Sequence, residues 1–428
     1  MNIMSYAIKE DFNMAKLLGT KLLGTKLEQP NFTAKNRFFK SAMSETLADR
    51  NNSPTVGLVN LYRRWSRGGA GILMSGNVMV DRNAIGEPGN VAIEDERDLP
   101  MLKRWAQAGT QMNTEFWMQI NHPGKQSPKS LSKEPVAPSA IPLSGEVAVA
   151  FNPPRALTEE EILDLIKRFG NTARIAKKAG FTGVQIHSAH GYLVNQFLSP
   201  HHNQREDQWG GNAENRMRFL MEVYREMRRQ VGDDFPIGIK LNSADFQRGG
   251  FTEEESMQVL KTIDEAGIDL IEISGGNYEN PVIFKGGDVR ESSKKREAYF
   301  LDYADKARQI VKAPIVVTGG FRTAKGMEDA LESGSVDMVG IAKPFAIYPD
   351  LPNQILNGTY EKLESPHITT GVKALDKKLS SILVLSWYEK QFELMANGKQ
   401  PEMQLSAWKG LWNSVKKNGA SAFMQRRA

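Results

Sequence analysis

The sequence predicts a single (β/α)8 barrel of the α/β class, a TIM barrel, with a C-terminal helical extension. Three observations carry that expectation. Short apolar runs of strand length alternate with longer segments of helical period, giving eight strand candidates in all. The glycine fingerprint that opens a doubly wound dinucleotide-binding fold is missing after the first strand. A length of 428 residues suits one barrel with insertions. We divide the chain into a barrel with its N-terminal lead-in, residues 1–372, and a helical extension packed on it, residues 373–428.

Each element has its own justification. The first fifteen or so residues show no period and read as a loose lead-in. LLGTK is then duplicated within Lys16 to Lys26, a period too short for a repeat architecture. Arg37 to Met43 is the first strand candidate, Gly57 to Arg67 a helix, Gly71 to Ser75 a strand, Pro100 to Asn113 a helix and Phe116 to Ile120 a strand. From Asn121 to Pro154, many Pro, Ser and Gly residues break the alternation, and a connection that long is usually functional or disordered. Thr158 with Glu161 forms a capping box that opens a helix to about Ala179. Val184 to Ile186 is the fourth strand and Glu214 starts the next helix. Ile237 to Leu241, Leu270 to Ile273, Ile315 to Val317 and Met338 to Ile341 complete the strands. The helices between them are one opened by Thr252 with Glu255, one from Leu301 to Val311 and one from Lys325 to Glu332. Beyond Lys373 the chain reads as helical, with Trp387, Tyr388, Trp408 and Trp412 as packing aromatics.

Composition removes whole classes of function. A net charge of +5 arises from basic residues spread among acidic ones, so no nucleic-acid surface is expected. The local clusters Ser293 to Arg296 and Gln425 to Arg427 read as solvated surface. No apolar run approaches the length of a membrane span, and the opening residues lack the form of a secretory signal, so a cytoplasmic enzyme without a membrane role is expected. The absence of cysteine rules out disulfides, thiolate metal sites and the usual iron–sulfur cluster. A homo-oligomer is left open.

The most informative stretch runs from Gly183 to Arg218. His187, His190 and Tyr192 fall at the C-terminal edge of the fourth strand, so one small volume receives two imidazoles and a phenol, all able to donate hydrogen bonds. HxxH is also half of a metal site, but no cysteine or nearby carboxylate completes a ligand set, and no metal is expected. Two histidines that cap a strand and bond to backbone are the remaining structural alternative.

The longer string HSAHGYLVNQFLSPHHNQREDQWGGNAENRMRF, His187 to Phe219, resembles the signature of the Old Yellow Enzyme family, flavin-dependent ene-reductases and NADH:flavin oxidoreductases. The resemblance extends from about Asn36 to Pro344. It implies bound FMN, NAD(P)H as a transient hydride donor, and a small-molecule acceptor such as an activated alkene. It also implies that His187 and His190 hold the acceptor's carbonyl oxygen while Tyr192 supplies a proton. In the same way it assigns Ala42, Met43, Ser44 and Gly76 to the bed of the isoalloxazine, Gln119 to its pyrimidine edge and Lys240 to the N1 and O2 region. Ser274, Gly275, Gly276, Gly319, Gly320, Ala342 and Lys343 follow the last three strands and are the phosphate candidates, since barrel phosphate sites use such loops. The chain departs from the family pattern at four of these positions. Ala42 stands where proline is common, Ser44 where cysteine or threonine is usual, and Lys240 and Lys343 where arginine is usual. Other readings on the same barrel are an amine demethylase, a dienoyl thioester reductase, and a flavin-binding protein without catalysis.

Overall fold

The computed structural model describes residues 21–276, 279, 300–360 and 366–418. Most of the expected lead-in and the basic clusters at Ser293 to Arg296 and Gln425 to Arg427 lie outside the described residues.

Eight parallel strands close into a barrel. They are β1 Phe38–Lys40, β2 Ile72–Met74, β3 Glu115–Asn121, β4 Gly183–Ser188, β5 Ile237–Asn242, β6 Leu270–Ser274, β7 Ile315–Thr318 and β8 Met338–Ile341. The hydrogen-bonded order runs from β4 through β8 to β1, β2 and β3, and pairing of β3 with β4 closes the ring. The outer helices are α1 Val56–Arg67, α2 Leu99–Gly109, α3 Glu159–Ala179, α4 Ala213–Val231, α5 Glu253–Glu265, α6 Leu301–Ala307, α7 Ala324–Glu332 and α8 Leu351–Leu356. Both expected capping boxes are formed, Thr158 with Glu161 at α3 and Thr252 with Glu255 at α5. Two helices are shorter than expected. The chain after α2 turns left-handed at Met112 and Asn113, with φ of 58° and 55°, and α6 gives way at Arg308.

The strands of a closed parallel barrel are buried on both faces, and this one divides its inward residues into two layers. The lower layer is apolar. Phe39, Ile72, Trp117, Leu270, Val316 and Met338 pack with Leu27, Phe32 and Ala34 of a short antiparallel hairpin, Leu27–Glu28 with Thr33–Ala34. Trp117 is accommodated because β4 carries glycine opposite it: a Cβ on Gly183 would lie 2.6 Å from the indole. The upper layer, toward the C-terminal ends of the strands, is polar and forms the floor of the site. Outward-facing residues such as Phe116, Ile186 and Ile271 pack against the helices in one large core.

Two further features frame the C-terminal face. The excursion after β3 contains short 3-10 turns at Gly124–Gln126 and Gly145–Ala150, and it sets Leu143, Val147, Ala150 and Phe151 against Tyr192. The C-terminal helices α9, Lys373–Ala396, and α10, Ala407–Asn418, pack on each other, and α9 also packs on α1. No helix among the described residues is long and apolar enough to cross a membrane.

Candidate functional site

A cavity of about 400 Å³ opens at the C-terminal ends of the strands, within the range of small-molecule sites. His187, His190, Tyr192, Gln119, Lys240 and Ser274 all line it. So do Ala42, Met43, Ser44, Gly319, Gly320, Ala342 and Lys343. Residues far apart in the chain converge because each follows or ends a barrel strand.

The His/Tyr group is held by its own backbone. His187 is the penultimate residue of β4, and the chain then turns through His190 and Gly191, with φ of 65° and 75°, into the short helix Leu193–Leu198. A left-handed histidine is strained and needs support. Asn242 Oδ1 accepts the His190 N–H at 3.2 Å and Asn195 Oδ1 accepts the Gly191 N–H at 2.7 Å. Both amides are anchored on Asp245, whose Oδ1 accepts from Asn195 at 3.2 Å and from Asn242 at 3.0 Å. Burial pushes the Asp245 carboxyl up from the ordinary range. The resulting turn brings the His187 ring within 5.0 Å of His190 and 4.9 Å of Tyr192, centroid to centroid. His187 Nδ1 accepts the Ala189 N–H at 3.3 Å, so its ring proton sits on Nε2 when the imidazole is neutral. His190 Nε2 shares a 2.6 Å hydrogen bond with Ser274 Oγ. Asn77 Nδ2 donates to the Tyr192 hydroxyl at 3.4 Å.

Beneath this group runs a buried polar chain. Gln119 Nε2 donates to Gln185 Oε1 at 2.7 Å, and Gln185 Nε2 donates to Glu272 Oε2 at 2.9 Å. Lys240 Nζ meets Glu272 Oε1 at 2.9 Å. Gln185 and Glu272 escaped the sequence reading, although a glutamate between isoleucines in the run Leu270 to Ile273 was a visible signal.

A second cluster, also missed, lies behind the loop after β1. Lys40 is fully buried, donates to the Met74 carbonyl at 2.9 Å and sits 4.2 Å from the Trp65 ring. Burial pulls its ammonium down to about 8. Glu45 accepts from the Tyr62 hydroxyl and takes the Gly76 N–H at 2.9 Å. Gly76 therefore spends its N–H on Glu45 and does not line the cavity; a Cβ there would lie 2.1 Å from Glu45 Oε2 and 2.4 Å from the Met43 carbonyl.

The expected phosphate residues separate into two groups. Gly319 and Gly320, with φ of 104° and 98°, lie on the cavity with Ala342 and Lys343. Gly275 and Gly276 do not. A Cβ on Gly275 would press on Phe300 and Phe246, while Gly276 donates to the Ala244 carbonyl and accepts from Asn242. The loop after β6 thus serves the histidine turn, through Ser274 and the Asn242 network.

One cavity wall comes from the C-terminal helix. Leu385, Tyr388, Glu389 and Phe392 of α9 line it, and Lys343 Nζ lies 5.8 Å from the Tyr388 ring centre. Burial pushes the Tyr388 phenol up to about 12. Of the aromatics expected to pack, Trp387 is buried, whereas Trp408 is 48% and Trp412 73% exposed.

Among the described residues, His201, His202 and Glu279 bring three ligand-type atoms within 4.8 Å of one another. The Lys125 ammonium holds His202 Nδ1 at 2.9 Å, an arrangement that opposes a second cation. Burial holds the His202 imidazole well below its ordinary pKa.

Comparison with known proteins matches this architecture to a family. The family model described as NADH:flavin oxidoreductase / NADH oxidase matches residues 27–362. A NADH-dependent flavin oxidoreductase of Hypocrea jecorina is 37% identical over 348 residues, which cover 76% of this chain and 86% of that one. A solved structure of 2-naphthoyl-CoA reductase with 2-naphthoyl-CoA aligns with a TM-score of 0.74 at 30% identity, over 79% of this chain and 52% of that one. The old yellow enzyme homologue of Zymomonas mobilis aligns with a TM-score of 0.69 at 25% identity, over 80% and 94% of the two chains. The chain is a member of the NADH:flavin oxidoreductase family, the flavin-dependent barrels of the Old Yellow Enzyme type.

Proposed function

We propose that this protein binds FMN in the cavity, takes reducing equivalents from NAD(P)H and delivers them to an electron-poor alkene or a comparable acceptor. The carrying observation is the convergence of His187, His190 and Tyr192 on one cavity with Gln119 and Lys240. The donor set fits the cofactor. Gln119 offers an amide to a pyrimidine edge, Lys240 a cation to the N1 and O2 region, and the backbone from Ala42 to Ser44 a flat bed. At the far end, two glycines at positive φ and Lys343 suit a phosphate, which needs close backbone approach and positive charge.

When bound, FMN supplies a two-electron carrier between NAD(P)H and the acceptor. The protein's own groups do the rest. His187 and His190 offer ring N–H groups to a carbonyl oxygen and polarise it, which makes the conjugated carbon electrophilic. The Tyr192 hydroxyl delivers its proton to the α-carbon. Leu143, Val147, Ala150 and Phe151 cover the tyrosine and limit water around it.

The test is direct. Purified protein supplied with FMN should turn yellow, and anaerobic NADH or NADPH should bleach it. A colourless protein that takes up no FMN overturns the proposal. A second reading, reduction of an unsaturated acyl thioester, draws support from the likeness to the naphthoyl-CoA enzyme. An acceptor panel of enones, dienoyl thioesters and methylamines separates the readings.

A further inference from the structure

Glu272 does not itself line the cavity, yet it bonds two side chains that do, Lys240 and Thr318, and reaches a third, Gln119, through Gln185. It is fully buried and stands in register with Lys240 across β5 and β6. Its Oε1 takes the Lys240 ammonium at 2.9 Å and the Thr318 hydroxyl at 2.7 Å, while its Oε2 takes Gln185 Nε2 at 2.9 Å. A buried carboxylate is costly unless several donors surround it, and here three do. An apolar side chain at this inward position would leave those three donors without their acceptor.

The carboxylate has two effects on the groups above it. The first is orientation. An ionised carboxylate only accepts, so Gln185 must present its NH2 to Glu272 and its oxygen to Gln119. Gln119 must in turn give one N–H to Gln185, which fixes which way round its amide stands at the cavity. The second effect is charge. A cation with an anion 2.9 Å away acts on a ligand as a dipole, with a field far weaker than that of an isolated ammonium.

We infer that Glu272 is a positioning residue: it orients Lys240 and Gln119 toward the flavin and compensates the lysine charge, holding the cofactor's potential below the value an unpaired Lys240 would set. This rests on the FMN reading above. Reduced flavin is anionic, so a stronger local positive charge favours it over the oxidised form.

Three variants test the inference: Glu272→Gln, Lys240→Met, and the double variant Glu272→Leu with Lys240→Met. For each, the measurements are affinity for oxidised FMN by fluorescence quenching, midpoint potential by dye-equilibrated titration, and melting temperature of the apoprotein. Glu272→Gln should favour reduced over oxidised FMN at least about tenfold relative to the parent, a rise of about 30 mV for a two-electron couple. Lys240→Met should move the potential down by a similar factor, and the double variant should return to within about threefold of the parent. Responses of opposite sign that cancel are not produced by a packing defect, which lowers the melting temperature and loosens both oxidation states alike. An unmoved or lowered potential in Glu272→Gln overturns the inference. If that variant does not fold, the remaining pair decides, and a double variant no higher in potential than Lys240→Met overturns it equally. Parent protein that takes up no FMN overturns the flavin reading, whereas FMN uptake with an unmoved potential overturns this inference alone.

Discussion

Replacing Tyr192 with phenylalanine separates chemistry from structure at this site. The ring is 4% exposed, packs against Leu143, Val147, Ala150 and Phe151, and stands edge-on to His187. Phenylalanine keeps all of that contact. The hydroxyl's bond from Asn77 is long at 3.4 Å, and losing that bond should cost about 1 kcal/mol, a melting shift of about 4 °C. The catalytic cost is of another order. A positioned general acid contributes roughly 10²–10⁴ in rate, about 3–5 kcal/mol of barrier. Reduction by NAD(P)H needs no proton from Tyr192, whereas saturating an alkene needs one at the α-carbon. Anaerobic stopped-flow measurement should therefore find flavin reduction near the parental rate and reoxidation by cyclohexenone slowed at least about a hundredfold. Reoxidation by oxygen or a quinone, which needs no carbon-bound proton, should stay near parental. Equal slowing of both half-reactions, or an unchanged enone step, would refute the assignment of Tyr192 as the proton donor.

Two further predictions concern groups that support the site. Gly340→Ala would place a Cβ 2.0 Å from Thr318 Oγ1, which holds Ser41 and Glu272, so it should destabilise the fold by roughly 1–3 kcal/mol and loosen FMN; parental melting temperature and affinity would show that the strand tolerates the methyl. Burial pulls the His122 imidazole from 6.5 down to about 4, and its Nδ1 accepts the Gly124 N–H at 3.0 Å. Because the unfolded chain protonates first, the contribution of His122 is complete above pH 6.5 and is lost as pH falls toward 4, by about 3 kcal/mol in all. Between pH 7 and pH 5 the urea stability of the parent should fall by about 2 kcal/mol more than that of His122→Asn, and equal losses would refute this.

The barrel was legible because its signals are local. Switches between helical and strand periods, with capping boxes at Thr158 and Thr252, located every barrel strand to within a few residues, though not the short hairpin Leu27–Glu28 with Thr33–Ala34. What misled was also local. Continuous helical reading carried α2 to Asn113, but the helix stops at Gly109 and the chain turns left-handed at Met112 and Asn113, where the asparagine was the one residue of a type that tolerates positive φ. Paired glycines signalled a permissive backbone after β6 and β7 without saying what approaches it. After β7 the space faces the cavity; after β6 it holds two phenylalanine rings.

The inward polar layer was harder to read, for a reason built into parallel barrels. A strand buried on both faces gives an apolar run, so Glu272 on the inward face, like Lys40 on the outward one, shows up only as an interruption, and their partners lie on other strands and helices. Lys240 could be placed near a ligand by resemblance, but its charge could not be valued until Glu272 was found 2.9 Å away.

The C-terminal helix poses the opposite case, in which the pattern was present and its meaning depended on what lay opposite. Leu385, Tyr388 and Phe392 are spaced at i, i+3 and i+7, which is one stripe of a helix. Such a stripe ordinarily packs against another helix, and Phe392 does meet Trp65 of α1 at 5.7 Å. The same stripe also faces the cavity beside Lys343, so a single row of side chains fastens α9 to the barrel and shapes one end of the site. The chemistry-bearing groups sit on the strand ends, where the fold fixes them. The size and polarity of the far wall are set by α9, beyond the residues that the family model matches. Fit to a particular acceptor or nucleotide is therefore open to change along α9 without disturbing His187, His190 or Tyr192.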